Sequence, residues 1–479
     1  MFKSQRFTKL IIAIIFATAL LTACGQAAAP PATKSAQQTT AVQTTAATTA
    51  AAPATTTTIA AETSAPIVLG YSTWNGGQIQ KDEEAWFEQY MIDNPNVKIN
   101  TQFITTGDYW TVINTLIAAG ECPDMFFTST PLTEPLWENG LVYDLYPLYK
   151  DIGIDMFEEF VDTTLDVTPG KNVIALTHGL TTIIIYYNLE LFDELGVEYP
   201  PRDPMNPWTW DDFVQTAKLL TRDMKGNTPD DPGFDPNNIK SYGTLLPTFW
   251  YQDLLQSNNA SFLHLDENRR ATGLALTEPN GRHVLESLNN LIFVDRVAPS
   301  IAFAKSLPST VAMFQNKQVG MVFSGAWLYS EFYVEGIDVG LAPPPMFQKR
   351  ASLSWGSAYS ISTQTKHLKE AFALYSTFLD PEKNPDLNKN MLPSKKSMYQ
   401  PGAIELWMDA LGDFFNEDYR RVVPPMVLNG FMGEWLTTRD YTPIVGQVIF
   451  PILDTYWLGE ADLDTVCKEI EAATKDFFK

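Results

Sequence analysis

The chain of 479 residues carries 56 acidic against 33 basic side chains, a formal charge of −23, and 12% of it is aromatic. A surface that acidic repels phosphates and no Lys/Arg-rich block offsets it, which excludes nucleic acid as a partner. Beyond the N-terminus no stretch is apolar for eighteen residues, so the body reads as soluble, and it is long enough for two or three hydrophobic cores.

The first element is the apolar run Leu10–Leu21, which follows Lys3, Arg6 and Lys9. A positive start, a short apolar middle and small residues before a break mark a secretory signal. Twelve residues are too few to span a bilayer, which takes roughly twenty. Leu21-Thr22-Ala23-Cys24 resembles the bacterial lipobox, which implies cleavage before Cys24 and lipid attachment to its thiol; an ordinary signal peptide that happens to hold a Cys is the alternative. Residues 24–65 are nearly all Ala, Thr, Pro and Gln, too poor in large apolar groups to fold, and predict a disordered tether between membrane and body. After Cys24 only Cys122 and Cys467 remain, which read as two free, buried thiols rather than a disulfide framework.

The body begins with a short strand over Ile67–Leu69 and a loop at Trp74-Asn75-Gly76-Gly77. Trp86, Phe87, Tyr90 and Met91 recur at helical spacing until Asn94-Pro95. "VKINTQF" alternates as a strand, "DYWTVINTLIAAGE" reads as a helix, and "DMFFTS" as a third strand. This alternation predicts an α/β lobe with a mainly parallel sheet. Two extended runs then flank Thr177-His178-Gly179, a helix spans Asn188 to Gly196, and another starts at "PWTWDDF", where Asp211 and Asp212 suit its positive end. "VAMFQNKQVGMVFSGAW" is a helix, a turn and a strand; Ala403–Lys479 is mostly helical with breaks expected at Pro424-Pro425 and Pro443.

Several patterns occur in a telling order: "AAGECPDMFF", "NGLVYDLYPL", "YYNLELFDELGV", "PWTWDDFVQTAKLLT", "VAMFQNKQVGMVFSGAW" and "MLPSKKS". Together, after a lipobox and tether, they resemble the extracellular solute-binding proteins, family 1, of ABC importers, the sugar-binding lipoproteins related to maltodextrin-binding protein. The resemblance covers most of residues 66–397. It implies an α/β, two-lobed periplasmic-binding-protein-like fold (type II) with a hinge and discontinuous lobes. The crossings are expected near Thr177–Ile183, Val339–Pro345 and Pro393–Gly402. Lobe 1 is then 66–180 plus 341–398, and lobe 2 is 181–340 plus 399–479.

A sugar presents an apolar C–H face and a rim of hydroxyls, so its site needs flat aromatic platforms beside convergent donors and acceptors. Trp74 and Asn75 follow the first strand, and Thr128 and Ser129 follow the third, at ends where ligands sit in open α/β sheets. The resemblance implies a sugar-stacking role for Trp327 and a cleft loop at Trp355-Gly356-Ser357. Trp250, Tyr251 and Trp435 are further candidates. Trp86, Trp110, Trp208 and Trp210 read as core. His178 lies beside the first crossing, where it either meets a hydroxyl or is a satisfied hinge histidine. Thr181 stands where the maltodextrin relative has a cleft glutamate, a departure that weighs against maltodextrin specificity.

No zinc spacing joins His264, His283 and His367, and the acidic run Asn227–Asn238 lacks the EF-hand pattern and reads as a turn, so no metal is expected. No nucleophile elbow or P-loop occurs, and no cofactor is expected. The resemblance implies a binding protein, not an enzyme: a monomer, lipid-anchored on the outer face of a bacterial cell membrane, that captures a carbohydrate and delivers it to ABC permease subunits. A lipid-anchored glycoside hydrolase and a binding protein for a non-sugar solute are the alternatives.

Overall fold

The computed structural model describes residues 65–104, 107–247, 251–385, 387, 389 and 391–479. The expected signal peptide, Cys24, the tether up to residue 64, and Trp250 lie outside the described residues. Among the described residues thirteen strands form two larger sheets and one hairpin. In chain order they are β1 (Ile67–Thr73), β2 (Val97–Phe103), β3 (Met125–Thr128), β4 (Leu165–Val167), β5 (Val173–Thr177), β6 (Ile183–Tyr187), β7 (Arg222–Asp223), β8 (Ile239–Thr244), β9 (Leu263–Leu265), β10 (Ala271–Leu274), β11 (Val319–Gly325), β12 (Gly340–Ala342) and β13 (Ala358–Ile361).

The sheet of the first lobe has the order β2-β1-β3-β13-β5-β4. β1 runs parallel to β2 and β3 because the helices Gly77–Asp93 and Tyr109–Ala119 carry the chain back between them. Gly120 stops the second helix in the left-handed region, at φ 75°, with its N–H turned back to Leu116 and Ile117 carbonyls. The rest of this sheet is antiparallel, so the expectation of a mainly parallel sheet holds for only half of it. The difference arises because β13 enters from the other lobe rather than over a local crossover helix. Tyr71, Phe87, Ile113, Phe127, Tyr359 and Phe378 lie in the core on this sheet.

The second lobe is built on the order β12-β6-β11-β8-β7, flanked by the β9–β10 hairpin. Its helix Trp210–Leu220 starts at a reciprocal cap, in which the Thr209 side chain accepts from Asp212 N–H and the Asp212 side chain accepts from Thr209 N–H. The same helix lies so close to β8 that a Cβ on Gly243 would fall 2.0 Å from the Ala217 carbonyl oxygen. The expected break at Pro424-Pro425 does not occur: Glu417–Leu428 is one helix through both prolines. Proline removes an N–H and crowds the preceding turn, but Tyr419, Val422, Val423, Met426 and Val427 are all buried and hold the helix by packing. Pro443 falls in the first turn of a wide-turned segment, Thr442–Ile449, that runs on into Phe450–Trp457. A missing N–H has no helical partner to lose there.

The chain passes between the two sheets three times. The first passage joins β5 to β6, between Thr177 and Ile183. The second comes later than Val339–Pro345: β12 completes the edge of the second sheet, and Leu353 and Trp355 still pack in the second core before Ala358 opens β13. The third follows the helix Leu368–Phe378, and by Leu392 and Met398 the chain packs with Leu180 and Ile184. These passages pair with one another. Leu180 and Leu392 exchange two backbone bonds of 2.7 Å, Thr181 and Trp355 exchange two of 2.7 and 3.2 Å, and His178 N–H donates to the Ser357 carbonyl at 2.9 Å. Gly356 permits this approach, because a Cβ there would sit 1.7 Å from the Gly179 carbonyl oxygen.

Gly356→Ala must therefore push the first and second passages apart. The expected cost is about 1–3 kcal/mol, read as a lower urea midpoint of the whole protein. An unchanged midpoint would mean that the passages yield without loss.

Candidate functional site

On the first lobe, Trp74 and Asn75 extend β1, and Ser129 extends its parallel neighbour β3. Trp74 is half-buried against Phe127, Trp110 and Tyr109, with ring centroids 4.1, 5.4 and 6.1 Å away. Asn75 is anchored by its amide nitrogen, which donates to Glu83 Oε1 at 2.6 Å and Tyr359 Oη at 3.2 Å. Thr128 is buried and its hydroxyl is occupied by Thr133 Oγ1 at 2.6 Å, so it holds the start of the next helix rather than facing a ligand. Ser129 is the residue before that helix, Thr130–Glu138, and its carbonyl accepts from Thr133.

On the second lobe, three tryptophans from distant parts of the chain meet. Trp355 lies edge-on to Trp327 at 5.8 Å and edge-on to Trp435 at 5.4 Å. Two glycines make room for them: a Cβ on Gly325 would fall within 2.0 Å of the Trp327 ring, and one on Gly433 within 2.5 Å of Trp435 Nε1. Trp355 is 7% exposed, while Trp327 and Trp435 are half-buried. Trp355 thus stands beside Trp327 on one lobe. Grouping it with Trp74 on lobe 1 is corrected by the late second passage. Tyr251 is also corrected: it is fully buried between Phe262 and Trp457, at 5.6 and 6.3 Å, and is a core ring rather than a platform.

The lobes meet where the Thr130–Glu138 helix of lobe 1 packs on the short helix Glu434–Thr437, which carries Trp435. Charge links the lobes at this place. Arg439 pairs with Glu138 at 2.6 Å, and Arg269 Nη2 donates to the Val167 carbonyl at 2.6 Å. Glu134 lies near both arginines, yet burial raises its carboxyl above the ordinary range. At the passages, Ser354 and Thr163 hydroxyls meet at 3.2 Å.

Two buried acids stand next to residues that the sequence singled out. Asp253 accepts from Leu353 N–H, and burial raises its carboxyl. Glu434 accepts from Phe262 and Leu263 N–H at 3.0 and 3.2 Å, and burial pushes it up to about 7. Asp253 Oδ2 and Thr181 Oγ1 are buried without a protein partner. Sequence reasoning missed Asp253 and Glu434, as well as Glu83. The available signal was an acid inside an otherwise apolar pattern, two residues from Tyr251, beside Trp435, and four residues before Phe87 respectively.

His178 is turned into the first core, stacked on Phe378 at 4.7 Å. Gly356 and Ser357 serve the passages with their backbone. The acidic run contains no cation cage. Asp223 gathers N–H groups of Lys225, Asn227 and Asp235 at 2.8, 2.8 and 3.1 Å, and Asp231 and Asp235 cap their own turns. Among the described residues no group of three or more His, Cys, Asp or Glu could hold a metal ion. Cys122 and Cys467 are free thiols, and burial pushes Cys122 up to about 11.

A model of the bacterial extracellular solute-binding protein family matches residues 85–411. The chain belongs to that family. This solute-binding protein is similar to the maltotriose-binding protein of Pyrococcus abyssi (strain GE5 / Orsay), at 23% identity over 273 residues, 57% of this chain and 52% of that one. It thus spans about half the length of the curated relative it matches. Among solved structures it resembles an ABC substrate-binding protein from Listeria monocytogenes in complex with cycloalternan, with a TM-score of 0.71 and 22% identity over 86% of this chain and 100% of that one. It also resembles the maltose/maltodextrin-binding domain from Bdellovibrio bacteriovorus bound to maltotriose, with a TM-score of 0.63 and 15% identity over 86% and 99% of the chains. The solute-binding family is extracytoplasmic. Among the described residues no helix is long and apolar enough to cross a membrane.

Two measurements test the burial of this site. Trp355→Ala should cost about 3–5 kcal/mol of stability and Trp327→Ala clearly less; the reverse order would make Trp327 the core ring. Burial holds His178 at about 4, below its ordinary 6.5. The unfolded chain then binds the proton first as pH falls, so this contribution to stability is whole above about 6.5 and lost progressively towards 4. His178→Phe should flatten the fall of the urea midpoint in that window, and an unaltered slope would assign the acid sensitivity to other groups.

Proposed function

We propose that this solute-binding protein captures a sugar or oligosaccharide between its lobes and delivers it to the permease of an ABC importer. The observation that carries the reading is the meeting of Trp327, Trp355 and Trp435 on one lobe, with Trp74 and Asn75 at the end of a strand of the other. Trp327 and Trp435 are half-buried, so each keeps ring area for the C–H face of a pyranose. Asp253 Oδ2 and Thr181 Oγ1 are polar groups without a protein partner that ligand hydroxyls would satisfy. Relatives described with bound cycloalternan or maltotriose support an α-linked glucan as the first class to try. Ligand touching both lobes favours the closed form in proportion to its preference for that form. The Glu138–Arg439 pair adds little by itself, as exposed pairs do.

The lobe division we propose follows the observed passages: residues 65–177 with 358–391, and 183–355 with 399–479. We further propose that Cys24 carries the lipid and that residues 24–64 act only as a tether. A two-chain anchor holds firmly at ~0.8 kcal/mol per buried CH₂. The protein works as a monomer that swings above the membrane.

A chain beginning at Ala65 should bind with the affinity of the full chain; loss of binding by a folded shortened chain would make the tether part of the site. In a thermal-shift screen over linear and cyclic glucans, a true ligand at a hundred times its Kd adds about 2.7 kcal/mol of apparent stability. Trp327→Ala should weaken the best ligand by about 1–3 kcal/mol, roughly five- to more than hundredfold. No glucan shifting the transition, with a non-sugar solute doing so, would overturn the sugar reading. New reducing ends on incubation would overturn the binding-only reading.

A further inference from the structure

Glu83 is fully buried, on the face of the helix Gly77–Asp93 that also buries Phe87. Among the described residues no cation pairs with it: the neighbouring Asp82 takes Lys389 at 2.8 Å, and burial pushes the Glu83 carboxyl up to about 8. A carboxyl in that position costs stability that an apolar residue of similar size would not. Its hydrogen-bond partners are Tyr71, whose hydroxyl lies 3.0 Å from Oε2, and Asn75, whose Nδ2 lies 2.6 Å from Oε1. Tyr359 Oη closes the set, 3.0 Å from Tyr71 Oη, 3.2 Å from Asn75 Nδ2 and 3.3 Å from Thr73 Oγ1. The Asn75 backbone N–H donates to that same Thr73 hydroxyl at 3.3 Å.

An amide nitrogen has two hydrogens and its oxygen has two lone pairs. Both Asn75 hydrogens are engaged inward, one on Glu83 and one on Tyr359. The arrangement survives either charge state of Glu83. Ionised, its Oε2 accepts from Tyr71; protonated, its Oε2–H donates to Tyr71, whose own hydrogen turns to Tyr359. Oε1 accepts from Asn75 in both.

We propose that Glu83 is a positioning residue that, together with Tyr359, locks the Asn75 side chain so that Asn75 meets the ligand only as a hydrogen-bond acceptor. The proposal rests on the sugar-binding reading for the identity of that ligand, and it makes this subsite one for a hydroxyl that donates. A hydroxyl replaced by fluorine, or a keto oxygen, has no hydrogen to give there and is rejected.

The test has a ligand-free arm and a ligand arm. In ¹⁵N NMR spectra the Asn75 side-chain amide should show two resolved, exchange-protected hydrogens in the wild type and in Glu83→Gln, whose carbonyl still accepts. Protection should be lost in Glu83→Leu, or, should that variant not fold, in part in Tyr359→Phe. Retained protection in these variants overturns the proposal whatever the ligand. In titrations with maltotriose, Glu83→Gln should stay within about twofold of wild type, and Glu83→Leu and Asn75→Ala should each weaken binding at least about fivefold. The double variant should be no weaker than Asn75→Ala alone, because both act through one side chain. Additive losses would show that Glu83 acts through packing and overturn the proposal. If Trp327→Ala weakens maltotriose and Asn75→Ala does not, the proposal fails while the sugar reading and its tryptophan site stand; if neither does, the proposal and that site both fail although a sugar is bound; if no glucan binds the wild type, the sugar reading fails and the amide-protection arm alone decides the role of Glu83.

Discussion

The structure depends on one constraint: three separate passages of chain between the lobes must lie side by side as extended backbone. They do so through the Leu180–Leu392 and Thr181–Trp355 exchanges and the His178–Ser357 bond. Only a residue without a side chain fits where the first two cross, so Gly356 sets the spacing. Because the passages are hydrogen-bonded to each other, the lobes share one hinge instead of hanging on three independent linkers. Residues just beyond each passage are brought to the same place, and Trp355, Thr181 and Ser354 come together for that reason.

The hinge also explains the uneven fate of the aromatic residues. Twelve tryptophans are far more than a cleft requires. Those that precede or follow a passage or a strand end keep part of their surface, as Trp74, Trp327 and Trp435 do. Those inside a helix face pack inward, as Trp210 does when it stacks on Phe347 at 5.1 Å. Trp110, read as core from its helical spacing, does pack against the first core and also braces Trp74 from the side. The buried acids follow a similar logic. Glu83 is hydrogen-bonded to Tyr71 and Asn75 and Glu434 to the Phe262 and Leu263 N–H groups; Glu83 stands behind the candidate ligand residue Asn75, and Glu434 precedes Trp435 in the chain. Burial raises both carboxyls, which favours the neutral form and limits the electrostatic cost of keeping them there.

Much of the local structure was legible in the sequence. The helices Tyr109–Ala119, Leu189–Leu195 and Trp210–Leu220 have their caps at Gly120, Asn188 with Gly196, and Thr209, because capping depends on residues within one turn. The strands β5 and β6 on either side of Thr177–Ile183 were legible for the same reason. The continuous helix over Pro424-Pro425 was not, because it is held by burial of Val422, Val423, Met426 and Val427 rather than by local preference. The passage at Gly356–Ser357 escaped notice as well, since β12 is only three residues long and gains its meaning from pairing with β6.

The sequence by itself determined the excess of acidic side chains, the apolar N-terminal run before Cys24, the strands and helices that open each lobe, and the family pattern that runs through residues 85–411. These depend on composition and on neighbours in the chain. Only the tertiary structure decided that Trp355 stands with Trp327 and Trp435, that Tyr251 and His178 are turned into the cores, and that Glu83 holds Asn75. Apart from Glu83 and Asn75, eight positions apart, those contacts join residues separated by tens to hundreds of positions. They are set by which faces can be buried together once the three passages are paired, and no local pattern encodes that choice.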